Sequence, residues 1–192
     1  FASAAAGIIG AERARETEQR GRSWHFGERL RVGLAAIGAS CDGDGLGRLT
    51  EAFCEPIRAT TSLYSDTEET LDALRDAGTR LAIVSNTYWD VPGRLVRRDM
   101  EQWGIDGYFQ AMIFSGDVPW RKPSPEFMLA AAKELAAEPG ECLVVGDSVE
   151  ADIAGARAAG MKSVWVNRQG LALQAAQPGP DWTVRRLAEV HR

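Results

Sequence analysis

Histidine, cysteine and long apolar runs are all scarce in this sequence. Its two histidines, His25 and His191, have no obvious partner residues, and no role is assigned to either. The three cysteines, Cys41, Cys54 and Cys142, are odd in number and unrelated in spacing. That leaves no zinc-ligand pattern, and reduced thiols are the expectation. No stretch approaches the ~20 apolar residues that a bilayer span needs, so no membrane partner is expected. The opening Phe1-Ala2-Ser3-Ala4 is apolar but lacks the basic flank of a secretory signal. Positive charge is not in excess either: 22 Lys and Arg face 27 Asp and Glu, a net charge of −5. That balance disfavours a nucleic-acid partner and suits a cytoplasmic enzyme. There is no internal repeat and no low-complexity segment. At 192 residues the chain has room for one domain, or for one domain with a small insert.

What is present falls into two parts. Residues 1–64 read as an all-helical subdomain. Ala2 to Gln19 carries Ile8 and Ile9 among alanines. Trp24 to Ile37 sets Leu30, Leu34 and Ile37 at helical spacing, and Leu46 to Ala59 sets Leu49, Phe53 and Ile57 on one face. Between the last two lies Asp42-Gly43-Asp44-Gly45. As a calcium loop it fails, because Leu46 and Phe53 stand where oxygen ligands are needed. No strand precedes it, so it reads as an interhelical loop.

From residue 65 to 192 helices and strands alternate, which predicts an α/β core with a parallel sheet and right-handed crossovers. Asp66-Thr67-Glu68-Glu69 has the pattern of a capping box that opens a helix to Ala77. Leu81 to Val84 is an expected strand ending at Ser85-Asn86-Thr87. A helix through Leu95, Val96 and Met100 stops at Gly104, and Met112 to Phe114 is the next strand. The loop Ser115-Gly116-Asp117-Val118-Pro119-Trp120-Arg121-Lys122-Pro123 follows, and Ser124 and Pro125 open a helix that runs to Leu135. Ser163 to Val166 is the last expected strand, and a short helix with Val184, Leu187 and Val190 closes the chain.

The stretch Cys142 to Asp152 carries most of the chemistry. Cys142 to Val145 has the β-branched texture of a strand covered on both faces. Gly146 permits a turn, and Asp147 falls just past the strand's carboxyl end, where open parallel sheets place ligands. Asp152 lies on the following helix, on the face that can look back at Asp147. Two converging carboxylates suit a hard cation such as Mg2+. Taken alone, the same residues read equally as a helix N-cap and a solvated side chain.

Three strand ends therefore share one rim: Ser85-Asn86, the Lys122 loop, and Asp147 with Asp152. A hydroxyl donor, an ammonium and a carboxylate pair are the components of a phosphoryl-transfer site. Ser85, with Asn86, can hold phosphoryl oxygens, Lys122 can neutralise their charge, and Asp147 can hold Mg2+. Trp89 and Trp120 flank the rim, where ordinary ring packing is their expected use.

The ordered set, an apolar run ending in Ser85-Asn86, then Arg121-Lys122-Pro123, then Val145-Gly146-Asp147-Ser148 with Asp152, resembles the haloacid dehalogenase (HAD) superfamily of hydrolases. It is most similar to the phosphatase-like members with a helical cap. The likeness covers about residues 60–168 and extends more loosely to residues 1–60. It implies a Rossmann-like parallel sheet with helices on both faces. It also implies hydrolysis of a small phosphorylated metabolite with Mg2+, and a monomer or homodimer. In such proteins an Asp at the end of a first, central strand attacks phosphorus. No such segment occurs here, so the resemblance places the nucleophile upstream of residue 1. Two alternatives stay open. One is a catalytically dead binding or regulatory relative. The other is a 2-haloacid dehalogenase, a branch that typically carries Ser-Asn where this chain has Gly146-Asp147.

Overall fold

The computed structural model describes residues 22–191. The helix expected over Ala2 to Gln19 lies outside the described residues. The first described helices are α1 (Phe26–Ala36) and α2 (Gly43–Thr60). Asp42 caps α2 by accepting the Gly45 N–H at 2.7 Å, so Gly43 to Gly45 belong to the first helical turn and not to a free loop. Pro56 sits inside α2.

The α/β part follows in the order α3 (Thr67–Asp76), β1 (Ala82–Ser85), α4 (Gly93–Gln102), β2 (Ala111–Phe114) and α5 (Pro125–Glu134). Next come β3 (Leu143–Gly146), a π-turn over Val149–Ile153 that continues into the short helix α6 (Ala154–Ala158), β4 (Lys162–Val166) and β5 (Trp182–Val184). The expected closing helix is corrected here. Val184 lies in β5, which pairs parallel with β4 through Val166↔Val184. Trp, Thr and Val in succession favour a pleated edge, and the ladder bonds offered by β4 outweigh a weak helical pattern. Only Leu187–Glu189 turns helically, as one 3₁₀ turn.

Among the described residues every strand pair is parallel, but the strands form two groups, β1–β2 and β3–β4–β5. Alternation along β1 sends Val84 to the layer of α5 and α6, where Met128, Ala132, Ala156 and Met161 pack. It sends Ile83 to the opposite layer, with Leu71, Met100, Ile105 and Phe114. Helices thus cover both faces. Phe114 and Phe127 are fully buried, each stabilising the fold by about 1.5–3 kcal/mol.

Between β1 and β3 lies a largely apolar cavity of about 480 Å³, lined in part by Leu71, Leu74, Val84, Met128, Leu143 and Val145. Among the described residues no strand pairs with the edges of β1 and β3 that face it. Leu143 and Val145 are 46% and 36% exposed, so among the described residues β3 is not covered on both faces as its composition suggested.

Candidate active site

The rim at the carboxyl ends of β1 and β3 is joined across the cavity by a chain of polar contacts. It starts at Asn86, one residue past β1. The Asn86 Oδ1 accepts the Lys122 N–H at 2.8 Å, and its Nδ2 donates to the Lys122 carbonyl at 3.1 Å. Its amide is thus spent as a two-point clamp on the backbone of Lys122. The Lys122 ammonium then donates to Asp152 Oδ1 at 2.6 Å, in an ion pair with little exposure on either side chain. The other oxygen of Asp152 accepts the Ser148 N–H at 3.0 Å. Ser148 is the neighbour of Asp147, so the chain runs from one strand group to the other.

Local sequence explains why these groups hold their places. Ser148 Oγ accepts the Ala151 N–H at 3.1 Å and caps the π-turn. The capping role considered for Asp147 therefore belongs to Ser148, and the Asp147 carboxylate is left exposed. It makes no side-chain hydrogen bond or ion pair among the described residues. The Asp147 backbone is pinned from β4, where Trp165 Nε1 donates to its carbonyl at 3.0 Å. Gly146 is required by contact: a Cβ there would come 2.2 Å from the Asp152 carboxyl carbon. Ser85 is half-buried at the end of β1, and its hydroxyl has no protein partner among the described residues.

Lys122 sits in a loop fastened at several points. Thr87 N–H donates to Ser115 Oγ at 3.0 Å, and Thr87 Oγ donates to the Val91 carbonyl at 2.8 Å. Asp117 accepts the Gly93 N–H at 2.8 Å and pairs with Arg97 at 2.7 Å. Ser115 Oγ donates to Asp90 Oδ1 at 2.5 Å, and Arg121 pairs with Asp90 Oδ2 at 3.2 Å. Asp90 and Ser115 were not singled out by sequence. Neither has a local signal that marks it: Asp90 follows Tyr88-Trp89, and Ser115 opens the loop to Lys122.

The helical residues 26–60 pack onto the same side. Phe26, Cys54, Val91 and Leu95 form one buried cluster, with Leu30, Phe53 and Tyr88 against it. Trp89, 42% exposed, stands 5.6 Å from the Phe53 ring and 6.4 Å from Phe26. Trp120 is stacked by Arg22 at 4.7 Å. Ion pairs flank the cluster: Arg58 with Asp99 at 2.5 Å, and Glu51 with Arg94 and Arg98 at 2.8 Å each. Burial raises the pKa of both the Cys54 thiol and the Tyr88 hydroxyl, so neither ionises near neutrality.

Among the described residues no three Asp, Glu, His or Cys side chains converge as a metal cluster. Mg2+ commonly takes only one or two carboxylates, completing its shell with phosphate oxygens and water. The unengaged carboxylate of Asp147 on the rim fits that need. Asp152 already uses both oxygens in hydrogen bonds and stands behind it.

Parallel strands whose carboxyl ends carry a hydroxyl, a lysine–carboxylate pair and an exposed aspartate define an α/β protein with a polar rim. Comparison with known proteins narrows it. A family model described as haloacid dehalogenase-like hydrolase matches residues 3–160, and the chain belongs to that family. It is 34% identical over 142 residues to a phosphoserine phosphatase of Thermus thermophilus. The alignment spans 74% of this chain and 55% of that enzyme's length. A HAD phosphatase structure from Thermococcus onnurineus superposes with a TM-score of 0.62 at 31% identity, covering 82% of this chain and 66% of that one. A 2-haloacid dehalogenase from Pseudomonas syringae pv. Tomato shares the fold, with a TM-score of 0.71 at 23% identity over 96% of this chain and 77% of its own.

Proposed function

We propose that this protein is a cytoplasmic Mg2+-dependent phosphatase that hydrolyses the monoester of a small phosphorylated metabolite. The observation that carries the reading is the contact chain Asn86–Lys122–Asp152–Ser148, which ties a fixed ammonium to the residue next to the exposed, unengaged Asp147. The names of the phosphatase relatives support the same reaction class.

In this reading the Ser85 hydroxyl donates to a phosphoryl oxygen at the end of β1. The Lys122 ammonium, with Asp152 as its counter-ion, neutralises charge that builds on the transferred phosphoryl group. Asp147 would hold Mg2+, while Asp152, expected from the sequence as a second metal carboxylate, has both oxygens engaged and stands behind it. When bound, the ion supplies further charge neutralisation to the phosphoryl oxygens. Asn86 acts by holding the Lys122 backbone.

The attacking group would be an aspartate on a segment N-terminal to Phe1. Its carboxylate bonds to phosphorus as the ester P–O bond breaks and the alcohol leaves with a proton. Water then cleaves the aspartyl-phosphate to free the aspartate and inorganic phosphate. What supports this placement is the cavity. The polar contacts among residues just past β1 and β3 put the carboxyl ends of both strands on one rim, and apolar side chains of α3 and α5 reach the cavity from either side. A parallel strand inserted there would satisfy both edges and cover Leu143 and Val145. Its carboxyl end would emerge between Ser85 and Asp147. The helical unit ahead of residue 65 would act as the cap that closes over the rim and selects the substrate.

The test is hydrolysis of a generic phosphate monoester by the protein expressed with its upstream coding segment, with and without Mg2+. Metal-dependent turnover that is lost in Asp147→Asn is the expected result. Full activity of Asp147→Asn would remove the metal role given to that residue. Phosphate and Mg2+ binding without any turnover would favour the non-catalytic relative.

A further inference from the structure

Asp90 is completely buried, yet it makes contacts with three separate parts of the molecule. Its Oδ1 accepts from Ser115 Oγ at 2.5 Å. Its Oδ2 accepts from the Trp24 N–H at 3.0 Å, from Arg29 at 3.3 Å and from Arg121 at 3.2 Å. Ser115 and Arg121 stand at the two ends of the loop that delivers Lys122, and Arg121 is its immediate neighbour. Trp24 and Arg29 belong to the entry and first turns of α1. One carboxylate therefore ties the segment after Ser85 both to the Lys122 loop and to the helical unit.

The backbone around Asp90 is held against its ordinary preference. Trp89 and Asp90 take positive φ values of 54° and 53°, a region that side-chain-bearing residues seldom occupy. Gly116 lies so close that a Cβ there would fall 1.8 Å from the Val91 carbonyl oxygen. A strained conformation persists only where its surroundings over-determine it, and such places concentrate at functional sites. The entry segment is also fastened to the same loop directly. Ser23 N–H donates to the Pro119 carbonyl at 3.1 Å, and Ser23 Oγ donates to the Trp120 carbonyl at 2.7 Å.

We propose that Asp90 is a positioning residue for Lys122. It acts through Ser115 and Arg121, and through Trp24 it couples the seating of the helical unit to the position of the lysine. The inference rests on the reading of Lys122 as a phosphate-facing group. A displacement of the helical unit would pull on residues 22–24, and that pull would reach the Lys122 loop by the Pro119–Trp120 contacts and by Asp90.

Two buried aspartates make the test specific. Asp66 is 2% exposed and is also held by several donors: Arg168 at 3.0 Å and the Leu187 N–H at 2.7 Å among them. It ties α3 to the chain's end and has no link to Lys122. The full chain and its variants are compared in three measurements. These are the NMR signal of the Lys122 side-chain ammonium (assigned by its loss in Lys122→Ala), the affinity for inorganic phosphate by calorimetry, and the thermal midpoint. Asp90→Asn and Arg121→Gln are expected to shift and broaden the ammonium signal and to weaken phosphate binding on the order of 10- to 100-fold. Arg121→Lys, which keeps the charge, restores most of both. Asp66→Asn lowers the thermal midpoint and leaves both unchanged.

If Asp90→Asn does not fold, Arg121→Gln carries the test, because that side chain is already one-third exposed. An unchanged ammonium signal in Arg121→Gln overturns the proposal, as does an equal effect from Asp66→Asn. If Lys122→Ala binds phosphate as tightly as the parent, the phosphate reading fails. The ammonium signal still decides whether Asp90 positions the lysine.

Discussion

On the β1 side of the cavity, Asn86, Thr87 and Asp90 each commit their side-chain polar atoms to the Lys122 loop, to α1 or to Val91. On the β3 side, Asp147 is exposed and its carboxylate makes no protein hydrogen bond or ion pair among the described residues. The contrast separates two tasks. Apart from the unpartnered Ser85 hydroxyl, the β1 side fixes geometry, because oxygens and N–H groups spent on protein contacts have little left for a ligand. The β3 side keeps a carboxylate available, because a metal or phosphate ligand must have lone pairs or protons to spare. Lys122 stands between the two sides, with its backbone held by Asn86 and its head held by Asp152.

The strongest way to break the contrast is to remove the residues at its centre. In the active protein, Lys122→Ala and Asp147→Asn should each lower turnover of a phosphate monoester by on the order of 10²–10³-fold. The thermal midpoint should barely move in Asp147→Asn and fall in Lys122→Ala, which leaves the buried Asp152 unpaired. Steady-state rates beside a melting curve check this. A large loss of stability in Asp147→Asn would mean that its carboxylate is structural after all.

The held side predicts the opposite signature. Gly116→Ala places a methyl group on the Val91 carbonyl and should destabilise the fold by about 1–3 kcal/mol or more in denaturant titration. A variant as stable as the parent would show that the 87–91 loop has slack.

Asn86→Ala removes both clamps on Lys122 and should cost about 1–3 kcal/mol. Binding of inorganic phosphate should weaken in the same variant, since the lysine loses its anchor. Stability lost with phosphate affinity intact would limit Asn86 to a structural clamp.

The smallest effect concerns Asp66, away from the rim. Burial raises its pKa, but the Arg168 ion pair and the backbone N–H groups of Ala188 and Leu187 outweigh this and hold it below the usual 3.8. A folded-state pKa below the unfolded one gives stability that is complete above that value and fades as pH falls through the folded pKa. Unfolding free energies of the parent and Asp66→Asn, followed against pH, should therefore differ by a constant amount above about pH 3.8 and draw together as pH falls below it. Parallel curves across the whole range would remove the assignment.

Much of the α/β frame was legible in the chain. β1, β2, β3 and β4 each fall within a residue or so of the apolar runs that suggest them. Gly78, Gly104 and Gly160 follow α3, α4 and α6 with positive φ, as helix-ending residues do. The misreadings have a common physical origin. Asp66 looked like a capping box, but its carboxylate makes no cap bond and is drawn instead to Arg168 and the backbone of Leu187. Val184 looked helical, but a parallel neighbour recruited it as a strand. In both, a partner more than a dozen residues away overrode a local preference that is worth little by itself.

The site divides along the same line. Ser85, Lys122, Asp147 and Asp152 stand out in the sequence because a strand end followed by a polar residue is a local pattern, repeated here on alternating β/α units. What their side chains do with one another is not local. That Asn86 clamps Lys122, that Ser148 takes the cap and frees Asp147, and that Asp90 gathers two loops and a helix could be decided only by the folded chain. The first and last depend on hydrogen bonds between segments far apart in sequence, and the second on which of two adjacent residues turns its oxygen to the Ala151 N–H.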